Sequence, residues 1–148
     1  MKVLSNLFGN NSKINANCIV LKDDNNKGYT LDKKRVVLYE TDSPVGTGTI
    51  TLNDDIEKYE EVNITFINND GEICATTVHN PSNKKICLKS SHAGGSTYYY
   101  IDYFAYITLS GKTGTYSEGR TLVINSNKTI FSIAACDTQK IIKIVAYK

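Results

Sequence analysis

The stretch Thr97-Tyr-Tyr-Tyr-Ile-Asp-Tyr-Phe-Ala-Tyr-Ile-Thr-Leu-Ser110 decides the fold of this sequence. Successive side chains of a strand point to opposite faces of its sheet, so the stretch divides into two sets. One set can be buried whole: Tyr99, Ile101, Tyr103, Ala105, Ile107 and Leu109. The other set is aromatic but keeps hydroxyl groups and a carboxylate: Tyr98, Tyr100, Asp102, Phe104, Tyr106 and Thr108. The alternation predicts one long strand of an all-β domain.

The rest of the chain is predicted to form strands, because turn-forming residues recur about every ten residues. This spacing is typical of sandwiches and barrels. Turns are expected at Thr41–Pro44 and at the Asp70-Gly71 pair, and one helical turn at Asn53–Tyr59. Strands are expected over residues 17–22, 29–31, 36–40, 46–52, 61–68, 72–79, 84–90, 97–110, 121–126, 129–136 and 141–147. Residues 114–121 are expected to be turn-rich. The pattern predicts an antiparallel β-sandwich of about nine or ten strands with a short N-terminal hairpin arm.

Two segments differ in character. Residues 1–35 contain the small hairpin and end in the charged junction Asp32–Arg35, so they form an N-terminal attachment segment. Residues 36–148 form the sandwich, which is large enough to bury its own core. The N-terminus turns polar by Asn10, so no secretion signal is expected.

Composition and motifs argue against several classes of function. With 17 basic and 15 acidic residues the net charge is +2, too small for a nucleic-acid footprint, and no apolar run approaches a membrane span. Ser110-Gly111-Lys112-Thr113 ends like a phosphate-binding loop, but Tyr106 stands where the first glycine belongs. No serine lies in a nucleophile elbow, and the carboxylate pairs are adjacent in sequence. We therefore expect no catalysis and no cofactor.

The cysteines and histidines form one pattern of metal-ligand type, Cys74-x4-His79 followed by Cys87-x4-His92. Zinc takes such ligands when four of them converge. Residues five apart on a strand lie on opposite faces of the sheet, however, so these pairs converge only if a turn intervenes. Buried thiols that act as small hydrophobic side chains are the simpler interpretation, and no metal is assigned.

The polar-aromatic side of the long strand is the candidate ligand site. Tyr98, Tyr100 and Asp102 are its centre, with His92 and Arg120 as rim donors. Aromatic rings stack on the C–H surfaces of sugars, and carboxylates accept sugar hydroxyls. Gly94-Gly95 just before the strand would allow the backbone to approach a ligand closely. The alternative is that the same tyrosines pack under a neighbouring sheet or subunit.

The order of the pieces resembles tail proteins of phages that infect Gram-positive bacteria. Gly46–Phe66 is similar to a Thr-rich strand of that family, followed by a short Asp54-x-Ile56-x-x-Tyr59 turn and an alternating strand. Tyr106-Ile-Thr-Leu-Ser-Gly111 and Ile141–Lys148 resemble its central and closing strands, with Ala146 where glycine is more usual. The resemblance covers residues 36–148. It supplies no catalytic residues and no fixed ligand set.

This resemblance implies a non-enzymatic receptor-binding or tail-fibre head, commonly a homotrimer, that attaches a virion to a bacterial surface saccharide. It further implies contacts with other tail or baseplate proteins, here through the N-terminal segment, and assembly in the bacterial cytoplasm. A purely structural virion subunit is the alternative, and a polysaccharide hydrolase ranks third.

The closing strand also suggests self-association. Alternation places Ile141, Lys143, Val145 and Tyr147 opposite Ile142, Ile144 and Ala146. Both of these faces are largely apolar, and a single domain covers only one of them with its facing sheet. A loop or another subunit is therefore expected over the second face.

Overall fold

The computed structural model describes residues 20–22, 28–30, 34–93, 98–125, 127, 129–134 and 139–148. It divides the chain into two units, Met1–Lys34 and Arg35–Lys148. In the first unit, β1 (Val20–Lys22) pairs antiparallel with β2 (Gly28–Thr30), which confirms the expected hairpin. In the described part of the chain no helix is both long and apolar enough to cross a membrane.

The second unit is a sandwich of two antiparallel sheets, which confirms the predicted fold class. The first, called the β5 sheet, contains in spatial order β3 (Arg35–Val45), β11 (Gln139–Tyr147), β5 (Glu61–Asn68) and β6 (Ile73–His79). The second, called the β8 sheet, contains β10 (Ile130–Ala134), β9 (Thr113–Asn125), β8 (Tyr98–Ser110) and β7 (Lys85–Ala93). In addition to these eight strands, the three-residue β4 (Thr49–Thr51) pairs with β9.

The core lies between the two sheets because alternate residues of each strand face inward. In β5 every second side chain is buried, and in β8 the buried set Tyr103, Ala105, Ile107 and Leu109 follows the predicted face. One cluster joins both sheets and includes Leu38, Ile50, Leu52, Ile56, Val62, Ile64, Phe66, Ile86, Leu88, Ile107, Leu109, Ile141, Ile144 and Ala146. Each large apolar side chain buried in this way contributes about 1.5–3 kcal/mol.

The predicted helical turn is confirmed as a 3₁₀ turn at Ile56–Lys58. Asp55 caps it by accepting a hydrogen bond from the Glu57 amide at 2.9 Å. The neighbouring Asp54 carboxylate accepts from Lys58 Nζ at 2.6 Å and from the Tyr59 hydroxyl at 2.9 Å. These bonds, together with one from the Asp55 amide, hold the pKa of Asp54 well below its usual value. Ile56 is thereby fixed in the core.

Two local predictions were wrong. The expected turn at Thr41–Pro44 lies inside β3. It forms an irregular part of that strand, because Ile141 of β11 pairs with Val45 and Lys143 then pairs with Glu40. The turn-rich segment expected at residues 114–121 is part of the continuous strand β9. Gly114 fits that strand because it faces Ile50 of β4: a Cβ on Gly114 would lie 2.8 Å from Ile50 Cγ1.

The closing strand also departs from simple alternation. A register shift between Ile141 and Lys143 places Ile141 in the core together with Ile144 and Ala146. Lys143 is half-buried and pairs with the Glu40 carboxylate. The bulge thus moves Ile141 to the inner side of β11, and Val145, which is not part of the core cluster, is buried as well.

Side-chain hydrogen bonds connect the two sheets directly, at Tyr116 and also at Gln139, whose Nε2 donates to Ser90 Oγ and to the Tyr103 carbonyl. Tyr116 of β9 donates its hydroxyl hydrogen to the Val45 carbonyl oxygen at 2.5 Å, and the same hydroxyl oxygen accepts from the Ile141 amide at 3.1 Å. Val45 and Ile141 are paired neighbours in the β5 sheet. A residue of the β8 sheet thus completes the hydrogen bonding of the opposite sheet beside its bulge.

Candidate binding face on the outer side of the β8 sheet

Strand register assembles one outer face on the β8 sheet from β7, β8 and β9. Residues opposite each other in antiparallel strands share a face, so each row across the three strands brings three side chains together. We call the resulting set the outer face. Its described rows, from one end to the other, are Ala93–Tyr100–Ile124, Ser91–Asp102–Leu122, Lys89–Phe104–Arg120 and Cys87–Tyr106–Glu118, continued by Lys85 opposite Thr108.

Asp102 is the most buried charged group of this face, with 8% of its surface exposed. Its Oδ1 accepts from Ser91 Oγ at 2.6 Å and its Oδ2 lies 3.0 Å from Lys89 Nζ, while the Tyr100 hydroxyl also donates to it. Burial by itself would raise the pKa of Asp102, but these donors outweigh it and the pKa lies below its usual value. The ionised carboxylate therefore holds Lys89 and Tyr100 in place.

The central rows are aromatic. The Phe104 and Tyr106 rings meet edge to face with centroids 5.9 Å apart. Lys85 Nζ lies 4.1 Å from the Tyr106 ring centroid, a cation–π contact. Both rings are half-buried, so each keeps part of its surface available. The combination gives a rigid aromatic strip flanked by ammonium groups.

A second charged group borders the strip. The Glu118 carboxylate pairs with the Arg120 guanidinium and lies 3.5 Å from Lys85 Nζ. The bond from Arg120 is the main reason that the pKa of Glu118 lies below its usual value. Arg120 is opposite Phe104 in the register, so its guanidinium belongs to the same row as that ring.

Of the predicted site residues, the structure brings three together. Tyr100, Asp102 and Arg120 all lie on the outer face. His92 is opposite Ile101, so the register places it on the other side of the sheet, where it is exposed. The side chain of Tyr98 and the Gly94-Gly95 pair lie outside the described residues.

The sequence prediction of the site missed Lys85, Lys89 and Glu118. These residues lie on neighbouring strands, and strand order and register are not written in a single sequence. One signal was present: Lys85, Cys87, Lys89 and Ser91 alternate with Ile86 and Leu88, which predicts a polar outward side for β7.

A shallow depression of about 200 Å³ borders the Glu118 end of the outer face. It lies where β9 carries one extra residue relative to β8, because Tyr106 pairs with Glu118 whereas Ile107 pairs with Tyr116. Its lining is rich in glycine: Gly46, Thr47, Gly48, Tyr116, Ser117, Glu118 and Gly119. Because glycine has no side chain, the depression has room for a small polar group beside the Glu118 carboxylate.

The candidate metal ligands do not converge. Cys74 and His79 lie on opposite sides of β6, and Cys87 and His92 on opposite sides of β7. Among the described residues there is no group of three or more His, Cys, Asp or Glu side chains that could hold a metal ion. Burial, together with the nearby Glu72 carboxylate, raises the pKa of the Cys74 thiol, as for a packed side chain. Cys87 is exposed, because it lies on the outward side of β7, so the expectation of a buried thiol was wrong there.

Comparison with protein-family models gives no match to this chain, and comparison with curated proteins gives none either.

Proposed function

We propose that this chain is a non-enzymatic attachment protein that binds a bacterial surface saccharide through the outer face of the β8 sheet. The observation that carries the proposal is the half-buried aromatic strip of Phe104 and Tyr106, set among charged donors and acceptors, with Tyr100 on the far side of the Asp102 row. Sugars present flat C–H surfaces edged by hydroxyl groups, and such a strip offers matching ring faces and hydrogen-bonding groups.

The preorganisation of the polar groups supports this proposal. Lys89 and Tyr100 are held by Asp102, and Arg120 and Lys85 by Glu118, so little side-chain freedom remains to be lost when a ligand binds. Lys85 and Lys89 still expose about half of their side-chain surfaces, 52% each, and so can donate to ligand oxygens.

The resemblance to phage tail proteins extends the proposal to biological context. We place the protein in a phage or prophage tail, assembled in the bacterial cytoplasm, with the segment at residues 1–35 contacting other tail or baseplate proteins. The same resemblance suggests a homotrimer, in which several weak sites would act together through avidity.

The test is binding to purified cell-wall polysaccharide of Gram-positive bacteria, measured by calorimetry. Tyr100→Ala and Tyr106→Ala should each weaken binding by about 1–3 kcal/mol, the scale of losing one aromatic anchor. Tyr147→Ala is the matched control, because Tyr147 is a half-buried tyrosine of the β5 sheet. The control should bind like the native chain.

A purely structural subunit is the second candidate, since the same tyrosine-rich face could serve assembly. Light scattering on the same variants separates the two. If Tyr100→Ala and Tyr106→Ala reduce the oligomer mass while the native chain binds no polysaccharide, the assembly function replaces the attachment function.

A further inference from the structure

β6 is an edge strand of this sandwich. β6 is the last strand of the β5 sheet, and within the described part of the chain no strand pairs with its second edge. The Asn68 backbone amide donates to the Glu72 carbonyl at 2.9 Å, and the Asn80 backbone amide donates to the Glu60 carbonyl at 2.6 Å. In an antiparallel ladder every second residue of a strand bonds to the neighbouring strand, and the residues between them direct their amides and carbonyls the other way. Because Glu72 and Asn80 bond on the β5 side, Ile73, Ala75 and Thr77 direct their amides and carbonyls away from β5.

The side chains on this edge lack the features that usually prevent edge pairing. β6 reads Ile-Cys-Ala-Thr-Thr-Val-His, with no Asp, Glu, Lys, Arg or Pro. Ile73 is 72% exposed, and Ala75 and Thr77 are exposed as well. Proteins normally protect an edge with lysine, proline or inward charges, and a flat uncharged edge is a template for another strand.

Of the other edge strands with described side chains, β4 is only three residues long, and β3 and β7 carry protective residues. β3, at the opposite edge of the β5 sheet, contains Pro44 and the acidic residues Glu40 and Asp42. β7, at the edge of the β8 sheet, carries Lys85 and Lys89. At β6 the protection is limited to one end, where Lys84 Nζ donates to the His79 carbonyl at 3.5 Å.

We propose that the β6 edge pairs with the β6 edge of a second copy of this chain, antiparallel about a two-fold axis at Ala75. In that register Ala75 faces Ala75 and Ile73 faces Thr77, so all three outward-directed residues exchange backbone hydrogen bonds. The His79 carbonyl stays with Lys84. The two β5 sheets would then form one continuous eight-stranded sheet.

The second copy is the fitting occupant because this edge is complementary to itself. The smallest side chain of the outward set, Ala75, stands at the axis and cannot clash with its own image. No residue from 73 to 77 carries a charge, so no like charges meet. A contact of this kind closes at two partners, and it would join two sandwich units whether or not each belongs to a larger assembly.

Charge substitutions at the axis test the pairing. The native chain should reversibly double its mass over a dilution series in sedimentation or light scattering. Ala75→Lys and Ala75→Glu should each raise the dissociation constant on the order of 100-fold, because like charges then face each other. Mixing the two variants should restore association, since lysine then faces glutamate. Thr51→Lys is the matched control on the exposed β4 strand and should associate like the native chain.

A measurement on the native chain does not depend on any variant. Amide hydrogen exchange at Ala75 and Thr77 should slow as protein concentration rises, while exchange at exposed Thr51 stays constant. Three results would overturn the proposal: a monomer at every concentration, self-association that survives Ala75→Lys, or a mixture of the two charged variants that fails to associate. Exchange at Ala75 and Thr77 that is independent of concentration would overturn it as well.

Discussion

Asp102 combines low exposure with three side-chain donors, and its charge is therefore part of the folded structure. Its pKa is lowered in the folded chain relative to about 3.9 in the unfolded chain. A group with a lowered folded pKa stabilises the fold above its unfolded pKa, and this contribution disappears as the pH falls through the folded pKa.

We predict that Asp102→Asn lowers the free energy of unfolding by about 1–3 kcal/mol at pH 7, since it replaces charge-assisted hydrogen bonds with weaker ones. The difference from the native chain should begin to shrink as the pH falls below about 4 and should disappear as the pH falls through the lower pKa of folded Asp102, where the native carboxylate becomes protonated. Urea unfolding at pH 7 and pH 3 measures both values. An equal difference at the two pH values would mean that the Asp102 charge has no part in the effect.

For single strands, the sequence pattern predicted the buried residues correctly wherever apolar and polar side chains alternate. The core residues of β5 and β8 followed from a period of two, and so did the outward side on which Tyr100 and Asp102 lie. The sequence misled where turn-forming residues are held in a strand by distant contacts. Pro44 lies in an irregular part of an edge strand, and Gly114 is required by the packing of Ile50.

Gly114→Ala should therefore destabilise the sandwich, even though alanine is the more usual residue in a strand. The new Cβ would meet Ile50 Cγ1 at 2.8 Å and Ile107 Cδ1 at 3.1 Å, and both isoleucines are buried. The expected cost is about 1–3 kcal/mol, the range for overpacking a core. Thermal unfolding measures it. Gly71→Ala is the control for open space, since nothing lies within 4 Å of its Cβ position, although its φ of +84° adds backbone strain.

The double variant Gly114→Ala/Ile50→Ala removes both Ile50 atoms that the new Cβ would meet, Cγ1 and Cδ1. If steric contact is the cause, the cost of Gly114→Ala should be smaller in the Ile50→Ala background than in the native chain. Equal costs in both backgrounds would contradict the packing explanation.

At the scale of the whole molecule, Tyr116 makes the two sheets depend on each other. Tyr116→Phe keeps the ring but leaves the Val45 carbonyl and the Ile141 amide without the shared hydroxyl. We expect a loss of about 1–3 kcal/mol in the free energy of unfolding and faster hydrogen exchange at the Ile141 amide. Tyr39→Phe, in which the changed residue also packs against the core, is the control and should be close to neutral. Unchanged exchange at Ile141 would contradict the connection.

The order of the strands within each sheet could not be predicted from the sequence. β3 pairs with β11, and β4 pairs with β9, although these strands are far apart in the chain. The outer face depends on this order, since its charged groups come from three strands. A single sequence identifies the face on one strand but not its neighbours.

The strict alternation of β8 also limits how this protein can evolve. Between Phe104 and Leu109, each outward residue stands between two that fill the core. Inserting or deleting one residue there would exchange the two sets and place apolar side chains at the surface. New binding preferences on this face should therefore arise by replacing outward residues singly. Changes in chain length should be tolerated better in the connections between strands, where they do not exchange the two faces of a strand.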